Sequence, residues 1–199
     1  MLAASTPPGG LTVDGREGVE AGAVVAGRAA GVDPFPARLL RRVKMGDMRP
    51  TIGHQAPDFS LRSQHGESVS LSAYRGAKHV VMVFYPFAFS GVCTGEMCEL
   101  RDQLATFEND SVQVLTLSCD PVYALRAFAD QEGLKFPLLS DFWPHGEVSR
   151  AYDVFNAELG CSMRSTFIVD TDGVLRWQVD NALPDARSLV DYAQALNRL

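Results

Sequence analysis

The chain has 199 residues, of which 46% are apolar and 21% charged, a composition that suits one globular domain with its own core. Its net charge of −6 offers no basic surface to nucleic acid or to an anionic membrane. The sequence has no apolar run of about 18 residues that could span a bilayer, and no pattern typical of a secretory signal. We therefore expect a cytoplasmic protein, in which four cysteines would be thiols, ligands or catalysts rather than disulfide staples.

The N-terminal region differs in amino-acid composition from the rest of the chain. Residues 1–47 are rich in glycine and proline and contain Phe35 as their only aromatic residue, so they predict disorder or an upstream extension with Met45 or Met48 as the true start. The stretch "ARLLRRVKM" could form a short basic amphipathic helix. From Met48 onward, strand, helix and turn signals alternate regularly, which predicts one compact domain over residues 48–199.

The predicted elements of this domain follow one another closely. Their order, β-β-β-α-β-α-β-α-β-β-α, indicates an α/β fold with a mixed central sheet covered by helices on both faces. In chain order the elements are the hairpin "DFSLRS" and "SVSLSA", the buried strand "KHVVMVFYP", a helix over residues 92–107, the strand "VQVLTLSC", a helix from Pro121 to Gly133, the strand "FPLLSD", a short helix in "HGEVSRAYDVF", the hairpin "STFIVDTDGVLRWQVD", and a C-terminal helix capped by Asp185.

Cys93 is predicted to lie in the first turn of the helix that follows the buried strand. Unpaired backbone N–H groups and the helix dipole stabilise a thiolate over a thiol at such a position. The alternative is a buried structural cysteine. Because Pro86 breaks the strand and Ser90 supplies a hydroxyl in the intervening loop, the setting favours a catalytic nucleophile.

Cys98 follows on the same helix, five residues after Cys93. Standard helix geometry separates the two Cα atoms by about 8.7 Å, beyond the roughly 7 Å that a disulfide tolerates. Pairing would therefore require the first turn to unwind. Cys98 is either a resolving cysteine that acts after local unfolding or a small apolar residue on the inner face of the helix.

The remaining candidate ligands do not form a metal or cofactor site. Structural zinc prefers pairs of cysteines two to four residues apart, with a second such pair, and neither feature occurs; no nucleotide-binding glycine motif is present either. Cys119, at a strand end, is expected to face the core. Cys161, in a polar connection, is expected to be exposed, where it could have a secondary redox role.

The residues "PFAFSGVC" resemble the peroxiredoxin signature P-x-x-x-[TS]-x-x-C, with Pro86, Ser90 and Cys93 at its fixed positions. The resemblance extends over residues 48–199 and is strongest to the AhpE-like peroxiredoxins of actinobacteria, through "YRGAKHVVMVFYPFAFSGVCTGE" and "FPLLSDFWPHGEVSRAYDVFN". The spacing of Cys93 and Cys98 is similar to that of the Q-type, or bacterioferritin-comigratory, peroxiredoxins. The resemblance implies a thioredoxin-like fold.

It also implies roles for individual residues. Cys93 would be the peroxidatic cysteine, whose thiolate attacks the peroxide and becomes a sulfenic acid. Ser90, in place of the usual threonine, would hydrogen-bond the peroxide and the thiolate, and Arg164 would stabilise the anion. Pro86 would shield the sulfur from water, and Glu96 would orient Arg164.

The implied function is that of a thiol-dependent peroxidase, an antioxidant enzyme of cell redox homeostasis that reduces hydrogen peroxide and organic hydroperoxides. If Cys98 resolves the sulfenic acid, an intramolecular disulfide forms and thioredoxin is the expected reductant. If it does not, mycothiol with a mycoredoxin would serve.

A second possibility is a non-enzymatic peroxide sensor that relays oxidation to a partner protein. A thioredoxin-type oxidoreductase is disfavoured because it would need C-x-x-C. The resemblance also favours a homodimer, with Trp143 either at the subunit contact or in the core.

Overall fold

The computed structural model of the protein describes residues 49–107 and 109–199. The expectations for residues 1–47 lie outside this range, and the domain boundary at residue 48 stays a prediction. The described part contains a seven-stranded mixed sheet in the order β2-β1-β5-β4-β3-β8-β9. Its strands are β1 (Ser60–Ser63), β2 (Ser68–Ser70), β3 (His79–Phe84), β4 (Val112–Ser118), β5 (Leu138–Ser140), β8 (Arg164–Val169) and β9 (Leu175–Asn181), and β6 (Phe155–Asn156) and β7 (Cys161–Ser162) form a separate two-stranded ribbon.

The helices are distributed over both faces of the large sheet, as predicted. Side chains of α1 (Gly91–Asp102), α3 (Val122–Glu132) and α5 (Leu189–Leu196) pack into one apolar cluster. On the other face, α4 (Glu147–Ala151) packs with the apolar residues around the first hairpin. The α/β architecture with a mixed, doubly covered sheet is therefore confirmed.

Strand β3 is an interior strand of the sheet, and its side chains enter the two apolar clusters alternately. Val81 and Val83 belong to the cluster under α1, α3 and α5, whereas Met82 and Phe84 belong to the opposite one. The strand pairs in parallel with β4 and antiparallel with β8. This burial on two sides explains the unbroken apolar run that predicted it.

Two details of the helices differ from the prediction. The helix expected over residues 92–107 is interrupted at Gln103, so α1 ends at Asp102 and a single turn, α2 (Leu104–Phe107), follows. The C-terminal helix begins only at Leu189, with Ser188 rather than Asp185 at its N-cap position. The ribbon of β6 and β7 was not predicted at all.

Candidate active site

The loop between β3 and α1 is held in a fixed conformation at the carboxyl end of the sheet. The backbone N–H of Ala88 donates to Asp120 Oδ2 at 2.9 Å, and Ser118 Oγ donates to the same oxygen at 2.8 Å. Phe89 adopts a positive φ of 64°, which is strained for a bulky residue, and its ring contacts that of Phe128. These contacts therefore fix the position of the loop relative to the start of α1.

Cys93 lies in the first turn of α1, as predicted, and its side chain is fully buried. Its sulfur accepts a hydrogen bond from Arg164 Nη2 at 3.3 Å. Arg164 is the first residue of β8 and reaches Cys93 from the neighbouring strand, 71 positions along the chain. The two residues are therefore far apart in the sequence but in contact in the folded chain.

Glu96 connects this arginine to a second one. Its carboxylate accepts a hydrogen bond from Arg164 Nη1 and is also clamped by Arg187, whose Nε and Nη2 each lie 3.0 Å from one carboxylate oxygen. The backbone N–H of Arg187 donates to Glu96 as well, at 2.8 Å. All three side chains are buried.

Arg187 is the site residue that sequence reasoning missed. Besides its bonds to Glu96, its Nη1 donates to the carbonyl oxygens of Phe84 at 2.6 Å and of Ser165 at 3.2 Å, at the ends of β3 and β8. In the sequence it stands in "DARSL", 91 positions from Glu96, within a stretch that reads as a helix start. Nothing local to that stretch marks it as part of a site.

The buried charges of the two arginines and Glu96 do not cancel. Two guanidinium groups, Arg164 and Arg187, face one carboxylate, Glu96, which leaves one excess positive charge in a region removed from water. An uncompensated buried charge is costly, and an anion beside the guanidinium relieves it. A negative charge that forms on the sulfur of Cys93 would therefore lie beside an excess positive charge.

Ser90 and Pro86 lie in the loop between β3 and α1. Ser90 is the N-cap residue of α1, but its side chain makes no capping bond; its Oγ donates to the carbonyl oxygen of Phe87 at 3.1 Å. Pro86 is buried two residues after the end of β3. Ser90 is thus close to Cys93 in the chain while its hydroxyl bonds within the loop.

The sulfur of Cys98 lies near a carboxylate, whereas that of Cys93 lies near a guanidinium group. Its sulfur lies 3.5 Å from Glu132 Oε2, at the end of α3, and burial together with that hydrogen bond raises the pKa of the Cys98 thiol. Helix α1 is unbroken between the two cysteines, so the helical separation calculated from the sequence applies. All four cysteines are free thiols.

The expectation that Cys161 is exposed is wrong. Cys161 is fully buried, because the short ribbon that carries it lies against the end of the main sheet. Of the two alternatives for Trp143, the core is excluded, because its side chain is 82% exposed, and the subunit contact stays a prediction. Cys119 is buried, as expected.

No helix in the described part of the chain is both long enough and apolar enough to cross a membrane. Among residues 49–107 and 109–199, no group of three His, Cys, Asp or Glu side chains is arranged to hold a metal ion.

Comparison with known proteins decides the family. Residues 52–178 match the model of the AhpC/TSA family. The chain belongs to the AhpC/TSA family of peroxiredoxins. It is 52% identical to alkyl hydroperoxide reductase E of Mycobacterium tuberculosis over 126 residues, which cover 63% of this chain and 82% of the relative. This peroxiredoxin is accordingly a thiol-dependent peroxidase.

More distant relatives agree with this assignment and with the fold. The chloroplastic 2-Cys peroxiredoxin BAS1 of Hordeum vulgare is 32% identical over 160 residues, covering 75% of each chain. Among solved structures, the peroxidoxin BcpB of Mycobacterium tuberculosis superposes with a TM-score of 0.67 at 29% identity, over 76% of this chain and 99% of that one. The thioredoxin-like peroxiredoxin fold is thereby confirmed.

Proposed function

We propose that this peroxiredoxin reduces hydrogen peroxide and organic hydroperoxides with Cys93 as its peroxidatic residue. The observation that carries the proposal is the hydrogen bond of 3.3 Å from Arg164 Nη2 to Cys93 Sγ, within a buried cluster that has one excess positive charge. The name of the mycobacterial relative, alkyl hydroperoxide reductase E, supports a hydroperoxide as the substrate.

The chemical step is a displacement at oxygen. The Cys93 thiolate attacks the terminal peroxide oxygen, an S–O bond forms as the O–O bond breaks, and the remaining oxygen leaves as hydroxide or alkoxide and is protonated to water or alcohol. Negative charge moves from the sulfur toward the departing oxygen. Arg164 Nη2, already directed at the sulfur, would stabilise that charge along the path.

The neighbouring residues would prepare this step. Ser90 Oγ, which now bonds to Phe87, would rotate to hydrogen-bond the peroxide, since a hydroxyl turns freely. Buried Pro86 has no N–H group and would keep water from the sulfur. Glu96 would orient Arg164, and Arg187 would hold Glu96 in place through its bidentate contact.

The sulfenic acid must then be reduced by a thiol. Cys98 could act only after α1 unwinds, and that unwinding would have to release Glu96 from two arginines. We therefore propose that Cys98 does not resolve the sulfenic acid in the folded enzyme and that an external thiol, supplied by thioredoxin or by a mycoredoxin with mycothiol, completes the cycle. Four free thiols support the cytoplasm as the compartment.

The test is peroxide consumption by the Cys93→Ser variant. Replacing the nucleophile should abolish the loss of hydrogen peroxide, measured with a ferrous-oxidation assay and a dithiol reductant in excess. The matched control is Cys98→Ser, in which the first oxidation should proceed at the parent rate. Undiminished consumption by Cys93→Ser would contradict the assignment of the nucleophile.

A further inference from the structure

Asp120 has no part in the proposed reaction, yet its side chain binds the loop that leads to Cys93. It lies two residues after the end of β4 and directly before Pro121, the N-cap residue of α3. Its carboxylate Oδ2 accepts the backbone N–H of Ala88 at 2.9 Å, across 32 positions of the chain. The β3–α1 loop (residues 85–90) is therefore joined to the segment between β4 and α3 by a side-chain hydrogen bond.

Asp120 is itself fixed in position by the sheet. Ser118 Oγ donates to the same carboxylate oxygen at 2.8 Å, and Ser140 Oγ donates to the backbone carbonyl oxygen of Asp120 at 2.7 Å. Ser118 and Ser140 are the last residues of β4 and β5 and pair with each other in the parallel ladder. The carboxylate is thus an acceptor whose position is set by two strands rather than by the loop.

The bond reaches the middle of the loop. Ala88 stands two residues after Pro86 and two residues before Ser90, the residues proposed to exclude water and to bind the peroxide. The hydrogen bond from Ser90 Oγ to the carbonyl oxygen of Phe87 lies within the loop, so it cannot fix the loop relative to the sheet. The bond from Ala88 to Asp120 can, because its acceptor belongs to another element.

The backbone directly after Ala88 needs such a contact. Phe89 has a positive φ of 64°, and a bulky residue keeps a strained conformation of this kind only where its surroundings enforce it. Its ring contacts that of Phe128 but is still 48% exposed, so packing holds only part of the side chain. Loss of the Ala88 bond would let Phe89 relax and would displace Ser90, the next residue.

We propose that Asp120 is a positioning residue for peroxide reduction. By accepting the Ala88 N–H, it holds the loop in the conformation from which Ser90 binds the peroxide and Pro86 excludes water. This proposal rests on the proposed function, which gives those two residues their roles. Asp120 acts as a hydrogen-bond acceptor, and its negative charge is not required.

Two substitutions of similar shape separate the acceptor from the charge. Asp120→Leu keeps a branched side chain but accepts no hydrogen bond, whereas Asp120→Asn keeps a carbonyl oxygen and loses the charge. The matched control is Asp130→Leu, because Asp130 is exposed on α3.

Two reactions of the same sulfur are compared in each reduced full-length protein. One is single-turnover oxidation by hydrogen peroxide, and the other is alkylation by iodoacetamide. Both are followed by mass spectrometry of the tryptic peptide of residues 79–101, in which fragment ions distinguish Cys93 from Cys98. Alkylation needs the thiolate but does not need Ser90, so it reports the reactivity of the sulfur alone.

We expect the ratio of the oxidation rate to the alkylation rate to fall roughly 10- to 100-fold in Asp120→Leu, the usual consequence of misplacing a reacting group by about 1 Å. Asp120→Asn and Asp130→Leu should keep the parent ratio. A parent ratio in Asp120→Leu, or an equal fall in Asp120→Asn, would overturn the proposal. Slowing of both reactions by the same factor would overturn it too, because a general change in the fold or in the sulfur would have that effect.

A measurement on the parent protein keeps the proposal testable even where Asp120→Leu does not fold. The Ala88 amide should exchange with deuterium far more slowly than the same amide in an unfolded peptide, and an equal rate would refute the bond to Asp120. Oxidation of Cys93 in the parent together with an unchanged ratio in Asp120→Leu would refute the role of Asp120 alone. A parent whose Cys93 is not oxidised would refute the proposed function and this role with it.

Discussion

Glu96 organises the site at the scale of single residues. One carboxylate on α1 receives hydrogen bonds from two arginines that belong to different parts of the chain. The first arginine in turn contacts the sulfur of Cys93. A change at any of these positions should therefore affect either the reaction or the stability of the fold, and the two effects can be separated.

Removing Arg164 should mainly affect the reaction. In Arg164→Ala the Glu96 carboxylate keeps its clamp to Arg187, so the fold should persist, but the developing negative charge loses its donor. We expect oxidation of Cys93 to slow by about 100-fold, the usual cost of removing one such donor, in single-turnover stopped-flow measurements with hydrogen peroxide.

The control for this variant is Arg62→Ala, since the Arg62 guanidinium donates to the carbonyl oxygen of Gly66 in its own hairpin. Its oxidation rate should equal that of the parent. Arg164→Lys should recover part of the loss, because lysine keeps the charge but not the planar fork. Parent-like oxidation in Arg164→Ala would show that this arginine does not stabilise the reacting sulfur.

Removing the charge of Glu96 should mainly affect stability. Glu96→Gln retains the shape of the side chain but leaves two buried guanidinium groups without a counter-charge, which typically costs about 3–5 kcal/mol. The free energy of unfolding in urea should fall by that order. Glu99→Gln on the exposed side of the same helix should change it by less than about 0.5 kcal/mol, and equal effects of the two substitutions would contradict the charge argument.

The sequence could predict part of this site and not the rest. Cys93, Ser90 and Pro86 are close together in the chain, so their spacing is visible, and the resemblance to a known signature extends the prediction to Arg164 and Glu96. Arg187 belongs to no local pattern, because its function depends on contacts 91 positions away. Long-range partners of this kind become visible only when the fold is known.

At the scale of elements, the helix termini show where the residues that begin and end a helix can be predicted from the local sequence and where they cannot. Helix α3 ends at Glu132 and is followed by Gly133, which has the left-handed φ of 66° expected of a helix-terminating glycine. Helix α5, by contrast, does not begin at Asp185. The backbone N–H and the side chain of Arg187 both bind Glu96, and this tertiary contact holds the preceding segment away from the helix that its sequence favours.

Two glycines with the same backbone conformation should respond differently to alanine. Gly133 and Gly146 have φ values of 66° and 68°, which cost about 1–2 kcal/mol for an L-residue. A Cβ at Gly133 would meet open space, whereas one at Gly146 would overlap the ring of Phe155. In thermal unfolding, Gly146→Ala should therefore lose more stability than Gly133→Ala, by at least about 1 kcal/mol; equal losses would mean that the Phe155 ring moves aside at no cost.

At the scale of the whole molecule, exposed aromatic residues indicate a contact surface. Trp143 is 82% exposed and the adjacent Phe142 47% exposed, although aromatic side chains of this size usually bury most of their area. Adjacent apolar residues on a surface are typical of interfaces. We propose that they contribute to the contact of a homodimer.

Introducing a charge at Trp143 tests this proposal. Trp143→Asp should shift the protein from dimer to monomer in sedimentation velocity at micromolar concentration, because an unpaired charge in an apolar interface is costly. Tyr123→Asp is the matched control, since Tyr123 is also aromatic and 80% exposed but lies on α3. A parent protein that is monomeric throughout, or a dimer unaffected by Trp143→Asp, would contradict the proposal.

The excess positive charge around Cys93 also connects the stability of the fold to the oxidation state of one atom. A thiolate at Cys93 would balance the charges of the two arginines and Glu96, whereas a sulfenic acid or a disulfide at that sulfur would be neutral and leave them unbalanced. By thermodynamic linkage, whatever stability the folded chain loses on oxidation must reappear as a shift in the midpoint potential of Cys93 relative to the unfolded chain. With Cys93 as the peroxidatic residue, folding would thus bias this cysteine toward its reduced form, the state in which each catalytic cycle would begin and end.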